Sequence, residues 1–272
     1  MMRRMMALLL VLLPAGSAHG FACLQVNGNC LHWTNKHATL RSALSIGNVP
    51  VVGNGGVLIN GTPNFDQNSL NAAGDWNAVG TAFQFSAQVV QQINEPCGPP
   101  GPNHACSNTG PAGDNPIIFR TDFCGQGFGD IIELTNNCAN ISNGAMINAP
   151  VFVNQLVAWN AYDGVLLVPF GGPYDIRRVL LHEFGHVLGL DHPDEHGQSV
   201  AAIMNSRVSD LDRLQPDDIA GIQFLYPGSP PPPPVPSAPN NSCQLDATGR
   251  SPRAWLLLLP VAMLLAIRAR GR

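Results

Sequence analysis

The segment from residue 182 to residue 192 constrains this chain more than any other. It reads His-Glu-Phe-Gly-His-Val-Leu-Gly-Leu-Asp-His. On an α-helix His182 and His186 lie one turn apart on the same side, so both imidazoles can reach one ion. Gly189 lets the chain turn out of the helix without a Cβ penalty, which brings His192 round as a third ligand. Three protein nitrogens leave a fourth position open, so the pattern predicts a catalytic zinc site rather than a closed structural one.

Glu183 follows the first histidine and would lie beside the ion rather than on it. A carboxylate in that place can act as a general base. A bare H-E-x-x-H match is weak evidence, because many helices hold two histidines by chance. The glycine and the third histidine make the eleven-residue form specific.

Three helices are expected. The helix that carries the histidines would begin after Asp175, whose carboxylate can accept the free N–H groups of the first turn, and run through Leu190. Apolar residues at helical spacing predict a second helix over residues 64–79. The two aspartates at 217–218 would cap a last helix that ends at Tyr226.

Short apolar runs predict the strands. A period of two predicts a strand over residues 82–90. Further candidates are residues 117–119, 130–134, 149–153 and 165–169. Because Pro150 has no N–H to donate, the run 149–153 is expected to form an edge strand.

Both ends of the chain are expected to be targeting segments. Residues 1–20 have a basic start, an apolar run and small residues near the end, which is the layout of a secretory signal peptide. Residues 21–227 would form the folded domain, and the proline-rich residues 228–242 a stiff linker. Residues 243–272 combine a cysteine, a short apolar stretch and an arginine tail, which indicates a surface-sorting segment or, alternatively, a plain membrane anchor. The chain is thus expected to be exported, and then secreted or attached to the cell surface.

The charge distribution argues against a nucleic-acid partner. The whole chain has a formal net charge of −4, but residues 21–229 hold 7 basic and 17 acidic residues. A nucleic-acid-binding protein needs a basic face to neutralise phosphates. With 45% hydrophobic and 12% charged residues, the chain is also too apolar to be a disordered polyelectrolyte.

The cysteines indicate disulfides in an oxidising compartment. The folded domain holds six, at positions 23, 30, 97, 106, 124 and 138. Six allow three disulfides, and the sequence does not determine their connectivity. Pairing of near neighbours, 23 with 30, 97 with 106 and 124 with 138, is the working expectation.

Residues 175–192 resemble the active-site helix of the matrixins, a family of metzincin metallopeptidases. Met204, twelve residues beyond His192, resembles the Met-turn of that clan, which by this resemblance lies beneath the zinc as an apolar floor. Residues 214–226 are similar to the family's closing helix, and the resemblance covers roughly residues 60–227. It implies an α+β fold with a twisted mixed sheet of about five strands and three helices.

The resemblance implies a zinc-dependent endopeptidase that binds one catalytic Zn²⁺, acts on protein or peptide substrates and is a monomer. A zinc-activated water would attack the peptide bond, with Glu183 as general base. An extended substrate would add to the edge strand at Pro150, Val151, Phe152 and Val153.

Two other functions stay open. One is a catalytically silent, zinc-stabilised surface binding or adhesion protein, although a purely structural site would favour a fourth protein ligand. The other is a zinc hydrolase of a non-peptide bond, which the Met-turn disfavours.

Calcium is a second candidate cofactor. Its oxygen ligands would come from Asp114, Asp122, Asp130 or Glu133, with none assigned. The second-zinc histidine loop of the matrixins is not found, and neither is a pro-segment cysteine in a Pro-Arg-Cys-Gly context. The histidines at 32, 37, 104 and 196 are expected to lie at the surface or to bond locally.

Overall fold

The computed structural model describes residues 20–45, 57–93, 96–97 and 113–230. The chain divides into two compact units, Met1–Pro231 and Pro232–Arg272, and the described residues all belong to the first. The signal peptide over residues 1–20, of which only the last residue is described, stays a prediction, as do the segment 243–272 and most of the linker, which lie outside these ranges. Within the described residues no helix is long and apolar enough to cross a membrane.

A mixed five-stranded sheet forms the centre of the described structure. Its strands are β1 (His37–Ser42), β2 (Gln84–Val89), β3 (Asn115–Arg120), β4 (Glu133–Thr135) and β5 (Val151–Asn154). They lie in the order β2-β1-β3-β5-β4. All neighbouring pairs are parallel except β5 and β4, which are antiparallel. The edges of this sheet are therefore β2 and β4.

The described residues contain three α-helices, α1 (Phe65–Asn77), α2 (Ile176–Leu188) and α3 (Pro216–Leu225). Helix α1 contacts α2 and strands β1 and β2, whereas α2 contacts β4 at the edge. Three helices and a mixed five-stranded sheet confirm the predicted α+β fold.

Short elements connect these. They are the strands Ala22–Cys23, Gln25–Val26, Asn29–Cys30, Asp122–Phe123, Gln126–Gly127, Cys138–Ala139, Met146–Asn148, Trp159–Asn160, Tyr174–Asp175 and Leu190–Asp191, and the 3-10 turns Val168–Phe170 and Asp194–His196.

Apolar side chains cover both faces of the sheet, because successive residues of a strand point to opposite sides. Ile117 pairs with Val151, and both join the large core that the helices close. Their neighbours Ile118 and Phe152 turn to the other face and pack with Phe128 in a smaller apolar cluster. The central strands are therefore apolar throughout rather than alternating.

Helix α2 begins and ends where the sequence predicts, within two residues. The Asp175 carboxylate accepts hydrogen bonds from the N–H groups of Arg177 and Arg178, at 3.3 Å each. The helix ends at Gly189, which has φ +104°, a conformation that side chains with a Cβ rarely adopt. A Cβ at this position would also overlap the carbonyl oxygen of Leu31.

The prediction that residues 149–153 form an edge strand is wrong. Strand β5 lies inside the sheet, between β3 and β4. Pro150 directly precedes the strand, where its missing N–H breaks no ladder bond, and its carbonyl oxygen accepts a hydrogen bond from Asn136 N–H at 2.9 Å. Pro116 is likewise the second residue of the interior strand β3.

The predicted disulfides are correct in one case and wrong in two. Cys23 pairs with Cys30 as expected. Cys97 pairs with Cys124 across 27 residues, which excludes the pairs 97–106 and 124–138. The reason is tertiary, because Cys97 and Cys124 pack together against the small apolar cluster of Phe128 and Phe152. Cys138 is also disulfide-bonded.

Three local details differ from the prediction. Residues 165–169 form no strand, since Pro169 lies in a 3-10 turn that ends at Gly171 with φ +79°. Helix α3 is capped by Gln215, and Asp218 supports the cap by accepting a hydrogen bond from Gln215 N–H at 2.7 Å. Strand β1 was not predicted.

Candidate metal centre

The fold brings His182, His186 and His192 together at one point. Their Nε2 atoms form a nearly equilateral triangle with sides of 3.0, 3.0 and 3.1 Å. A single point can lie about 2.0 Å from each of three atoms so arranged, and that is the length of a Zn–N bond. Among the described residues no other group of three or more His, Cys, Asp or Glu side chains could hold a metal ion.

The other nitrogen of each ring has its own partner. His182 Nδ1 lies 2.8 Å from the carbonyl oxygen of Ile203, and His186 Nδ1 lies 2.8 Å from that of Leu190. A carbonyl can only accept, so these two Nδ1 atoms must carry the proton and each Nε2 presents its lone pair. His192 Nδ1 lies 3.1 Å from the carboxylate of Glu195. The donor set therefore fits a zinc ion with three imidazole ligands.

Burial also keeps two of the rings in the metal-binding state. Burial and the neighbouring His186 lower the pKa of His182 to about 4. Burial and the neighbouring His192 lower the pKa of His186 to about 4 as well. Both imidazoles are thus neutral at pH 7, as a metal ligand must be.

Glu183 points towards the sheet edge rather than into the triangle of nitrogens. Its side chain is 5% exposed, and its Oε2 accepts a hydrogen bond of 2.6 Å from Thr135 Oγ1 on strand β4. Glu133, two residues earlier on the same strand, is also buried, and neither of its carboxylate oxygens has a hydrogen-bond partner. Burial and the charge of Glu183 raise the pKa of Glu133 well above its usual range. Neither Thr135 nor Glu133 stood out in the sequence as a partner of Glu183.

Met204 lies under helix α2 next to the metal centre. It is 2% exposed, and a Cβ at Gly185 would overlap its sulfur atom, so only glycine permits this contact. Asp218 fixes the turn by accepting hydrogen bonds from the N–H groups of Ile203 and Met204, at 2.9 and 3.1 Å. The same turn supplies the carbonyl that orients His182.

The last carbonyl groups of α2 are bonded by distant segments. Trp33 Nε1 donates to the carbonyl oxygen of Val187 at 2.8 Å, and the Tyr226 hydroxyl donates to that of Leu188 at 2.7 Å. Leu24 N–H donates to the carbonyl oxygen of Gly189 at 2.9 Å. The end of a helix leaves such carbonyls without intrahelical partners. These bonds fix the point at which the chain turns from α2 towards His192.

A cleft of about 750 Å³ opens over the three histidines and Glu183. Residues 130–135, including all of edge strand β4, form one side of it. Apolar and aromatic side chains also line it, among them Leu166, Val168, Tyr174, Val179 and Val208. The predicted substrate-strand residues Pro150, Val151, Phe152 and Val153 do not line it.

The calcium candidates form no group of three or more possible side-chain ligands among the described residues. Asp114 forms an ion pair with Arg41 at 2.8 Å, and Asp122 accepts a hydrogen bond from Gly125 N–H in a tight turn. The prediction of locally bonded histidines is confirmed for three of the four. His32 and His196 bond to the nearby residues Cys30 and Asp191, and His37 bonds at the surface to Ser86 on the neighbouring strand β2. His104 lies outside the described residues.

An open three-histidine site with an adjacent glutamate and a supporting methionine turn is the arrangement expected of the metzincin class of metallopeptidases. The family model for matrixins matches residues 60–227, more than half of the chain, and the chain belongs to this family. It is 38% identical over 92 residues to metalloendoproteinase 5-MMP of Arabidopsis thaliana, which covers 33% of this chain and 24% of that protein.

Two animal proteins are similar to this chain over shorter segments. The chain is 37% identical over 84 residues to human matrix metalloproteinase-27, covering 29% of this chain and 16% of that protein. It is 44% identical over 57 residues to the 72 kDa type IV collagenase of Gallus gallus, covering 21% and 8%. The chain thus spans a quarter or less of the length of these relatives.

Proposed function

We propose that this protein is a zinc-dependent endopeptidase that hydrolyses peptide bonds in extended protein substrates. The observation that carries the proposal is the triangle of Nε2 atoms beside a buried glutamate at the base of an open cleft. The three imidazoles are oriented from behind and leave further coordination positions on the cleft side. Such an arrangement suits a catalytic zinc site better than a structural one, because structural zinc sites are closed by a fourth protein ligand.

The residues divide the chemistry between them. Zinc held by His182, His186 and His192 would polarise the scissile carbonyl and acidify a water molecule. The Glu183 carboxylate would accept the proton of the attacking water and pass it to the leaving nitrogen. Met204 would support the ligands from below by packing against α2.

The open edge of the sheet suggests where a substrate binds. Asn136 N–H donates to Pro150 and Asn154 N–H to Ile132, so even-numbered residues of this segment bond to β5. By the alternation of antiparallel ladders, the backbone groups of Glu133 and Thr135 face the other way. An extended peptide would pair with them, and the apolar side chains that line the cleft would contact one of its side chains. We therefore propose that the substrate pairs with β4 rather than with β5.

Export is part of the proposal. The signal-peptide pattern of residues 1–20 and the disulfides Cys23–Cys30 and Cys97–Cys124 support an oxidising compartment outside the cytosol. Residues 243–272 would then sort the chain to the surface or anchor it. We expect the peptidase to act as a monomer.

The test is cleavage of denatured casein by the purified protein, with and without a zinc chelator. We expect cleavage that stops on chelation and returns when zinc is added back. The Glu183→Ala variant should bind zinc and cleave at least about a thousandfold more slowly. A wild type that binds zinc but cleaves neither casein nor a library of unstructured peptides would overturn the proposal and favour a zinc-stabilised binding protein.

A further inference from the structure

We propose that Thr135 is a positioning residue that fixes the carboxylate of Glu183, so that Oε2 is held by strand β4 and Oε1 serves as the proton-accepting atom. This inference rests on the proposed peptidase function. It adds a residue outside the zinc-binding motif to the catalytic apparatus.

The hydrogen bond between the two side chains is short and protected from solvent. Thr135 Oγ1 donates to Glu183 Oε2 at 2.6 Å, and it lies 3.1 Å from the backbone carbonyl oxygen of Glu183. Both residues are buried. A hydroxyl has one proton, and the shorter distance with the charged acceptor assigns that proton to the carboxylate. Bonds of this kind are stronger than neutral ones and hold an acceptor in one rotamer.

Glu183 has no other hydrogen-bond partner among the described side chains. Glu133, two residues earlier on the same strand, does not orient it, because neither carboxyl oxygen of Glu133 has a hydrogen-bond partner. Without the Thr135 hydroxyl, no hydrogen bond from a described side chain would fix the direction of the Glu183 carboxylate. A general base must lie within hydrogen-bond reach of the proton that it takes, so its rotamer affects turnover directly.

Thr135 also belongs to the strand on which the proposed substrate binds. Its side chain points out of the sheet towards α2, where it meets Glu183. Its backbone N–H and C=O lie in the plane of the sheet and face the open edge, because the backbone groups of successive residues alternate between the two sides of a strand. One residue would thus contact the substrate backbone and the general base together. A substrate paired with β4 is then aligned with Glu183 through a single strand residue.

The experiment compares turnover and KM for a quenched fluorescent peptide in the wild type, Thr135→Val, Thr135→Ala and Thr135→Ser. Valine keeps the shape and removes the hydroxyl, alanine removes it without a branched side chain, and serine keeps it. Thr39→Val is the matched control, since Thr39 lies in β1, which β3 and β5 separate from β4, and outside the site. Metal analysis checks that each variant holds one zinc.

We expect Thr135→Val and Thr135→Ala to lose about tenfold to a hundredfold in turnover, with KM changed less than about threefold. Thr135→Ser should recover most of that loss, and Thr39→Val should match the wild type. Wild-type turnover in a zinc-loaded Thr135→Val or Thr135→Ala variant would overturn the inference. So would a loss in Thr135→Ser as large as that in Thr135→Val, because it would show that retaining the hydroxyl does not retain turnover. An inactive wild type would instead overturn the proposed function.

Discussion

At the scale of single residues, the Tyr226 hydroxyl joins three parts of the chain. It accepts a hydrogen bond from Trp33 N–H at 3.0 Å and donates one to the carbonyl oxygen of Leu188 at 2.7 Å. Tyr226 follows α3, Trp33 precedes β1, and Leu188 ends α2. Burial raises the pKa of the Tyr226 hydroxyl far above its usual range, so it remains a donor at any ordinary pH.

We predict that Tyr226→Phe lowers the free energy of unfolding by about 1–3 kcal/mol, because it leaves a buried N–H and a buried carbonyl each one partner short. Urea unfolding measures this. Tyr174→Phe is the control, since no hydrogen bond of the Tyr174 hydroxyl is found among the described residues. Equal unfolding midpoints for the two variants would contradict the prediction.

The zinc ligands could be predicted at this scale, whereas the distant residues that bond the end of helix α2 could not. His182 and His186 are placed by the helical repeat alone, and Gly189 explains how His192 follows. Trp33 and Tyr226 reach the same helix across 154 and 38 residues. No local pattern encodes contacts of that separation, because they depend on how whole elements pack.

At the scale of elements, helix α2 depends on a buried charge at its first turn. Asp175 is fully buried and accepts hydrogen bonds from the N–H groups of Tyr162, Arg177 and Arg178. Burial raises its pKa to about 6, although these bonds and the Arg178 guanidinium oppose the shift. The native state therefore holds a proton on Asp175 at pH values where the unfolded chain has released it.

This gives a pH dependence with a definite sign. A raised native pKa contributes stability that is complete below the unfolded value near 3.8 and is lost as the pH rises through about 6. Asparagine can also cap a helix but does not titrate. The difference in unfolding free energy, wild type minus Asp175→Asn, should therefore fall by about 2–3 kcal/mol between pH 4 and pH 7. Urea unfolding of both proteins at several pH values measures this difference. The same difference at pH 4 and at pH 7 would contradict the raised pKa of Asp175.

The sheet shows what local patterns can and cannot determine about elements. The apolar run 149–153 is a strand almost where the sequence predicts it, at Val151–Asn154. Its predicted position at the edge of the sheet was wrong, because the missing N–H of Pro150 prevents a ladder hydrogen bond only at residue 150 itself. The edge strand β4 holds three residues, with a buried glutamate and a buried threonine facing α2. The sequence predicts a strand at residues 130–134, of which residues 133 and 134 belong to β4, but a glutamate there is not expected to be buried, and the site explains its burial.

At the scale of the whole molecule, the metal ligands link helix α2 to the segment that follows it, and neither of these is a strand of the central sheet. His182 and His186 come from α2, and His192 comes from the chain beyond Gly189. Strand Leu190–Asp191 pairs with Ala22–Cys23, so the same loop ties down the N-terminal disulfide hairpin. A metal that binds only this folded arrangement must stabilise the fold by mass action.

We predict that removing zinc lowers the unfolding temperature by roughly 5–10 °C. At a free zinc concentration a hundred times Kd, binding contributes about 2.7 kcal/mol, and a domain of this size shifts by about 2–4 °C per kcal/mol. Calorimetry with and without chelator measures the shift. The His186→Ala variant is the control, and its unfolding temperature should not respond to chelator. An equal response in that variant would show that the ion binds elsewhere.

The most direct test of the account is zinc content and peptide cleavage measured on the same preparations of wild type and Glu183→Gln. Glutamine keeps the size of the side chain and its place beside Thr135 but cannot accept the proton. We predict one zinc per chain in both proteins, with cleavage by the variant reduced by about a thousandfold or more. Full activity in a zinc-loaded Glu183→Gln variant would contradict the central claim that Glu183 is the general base of a zinc endopeptidase.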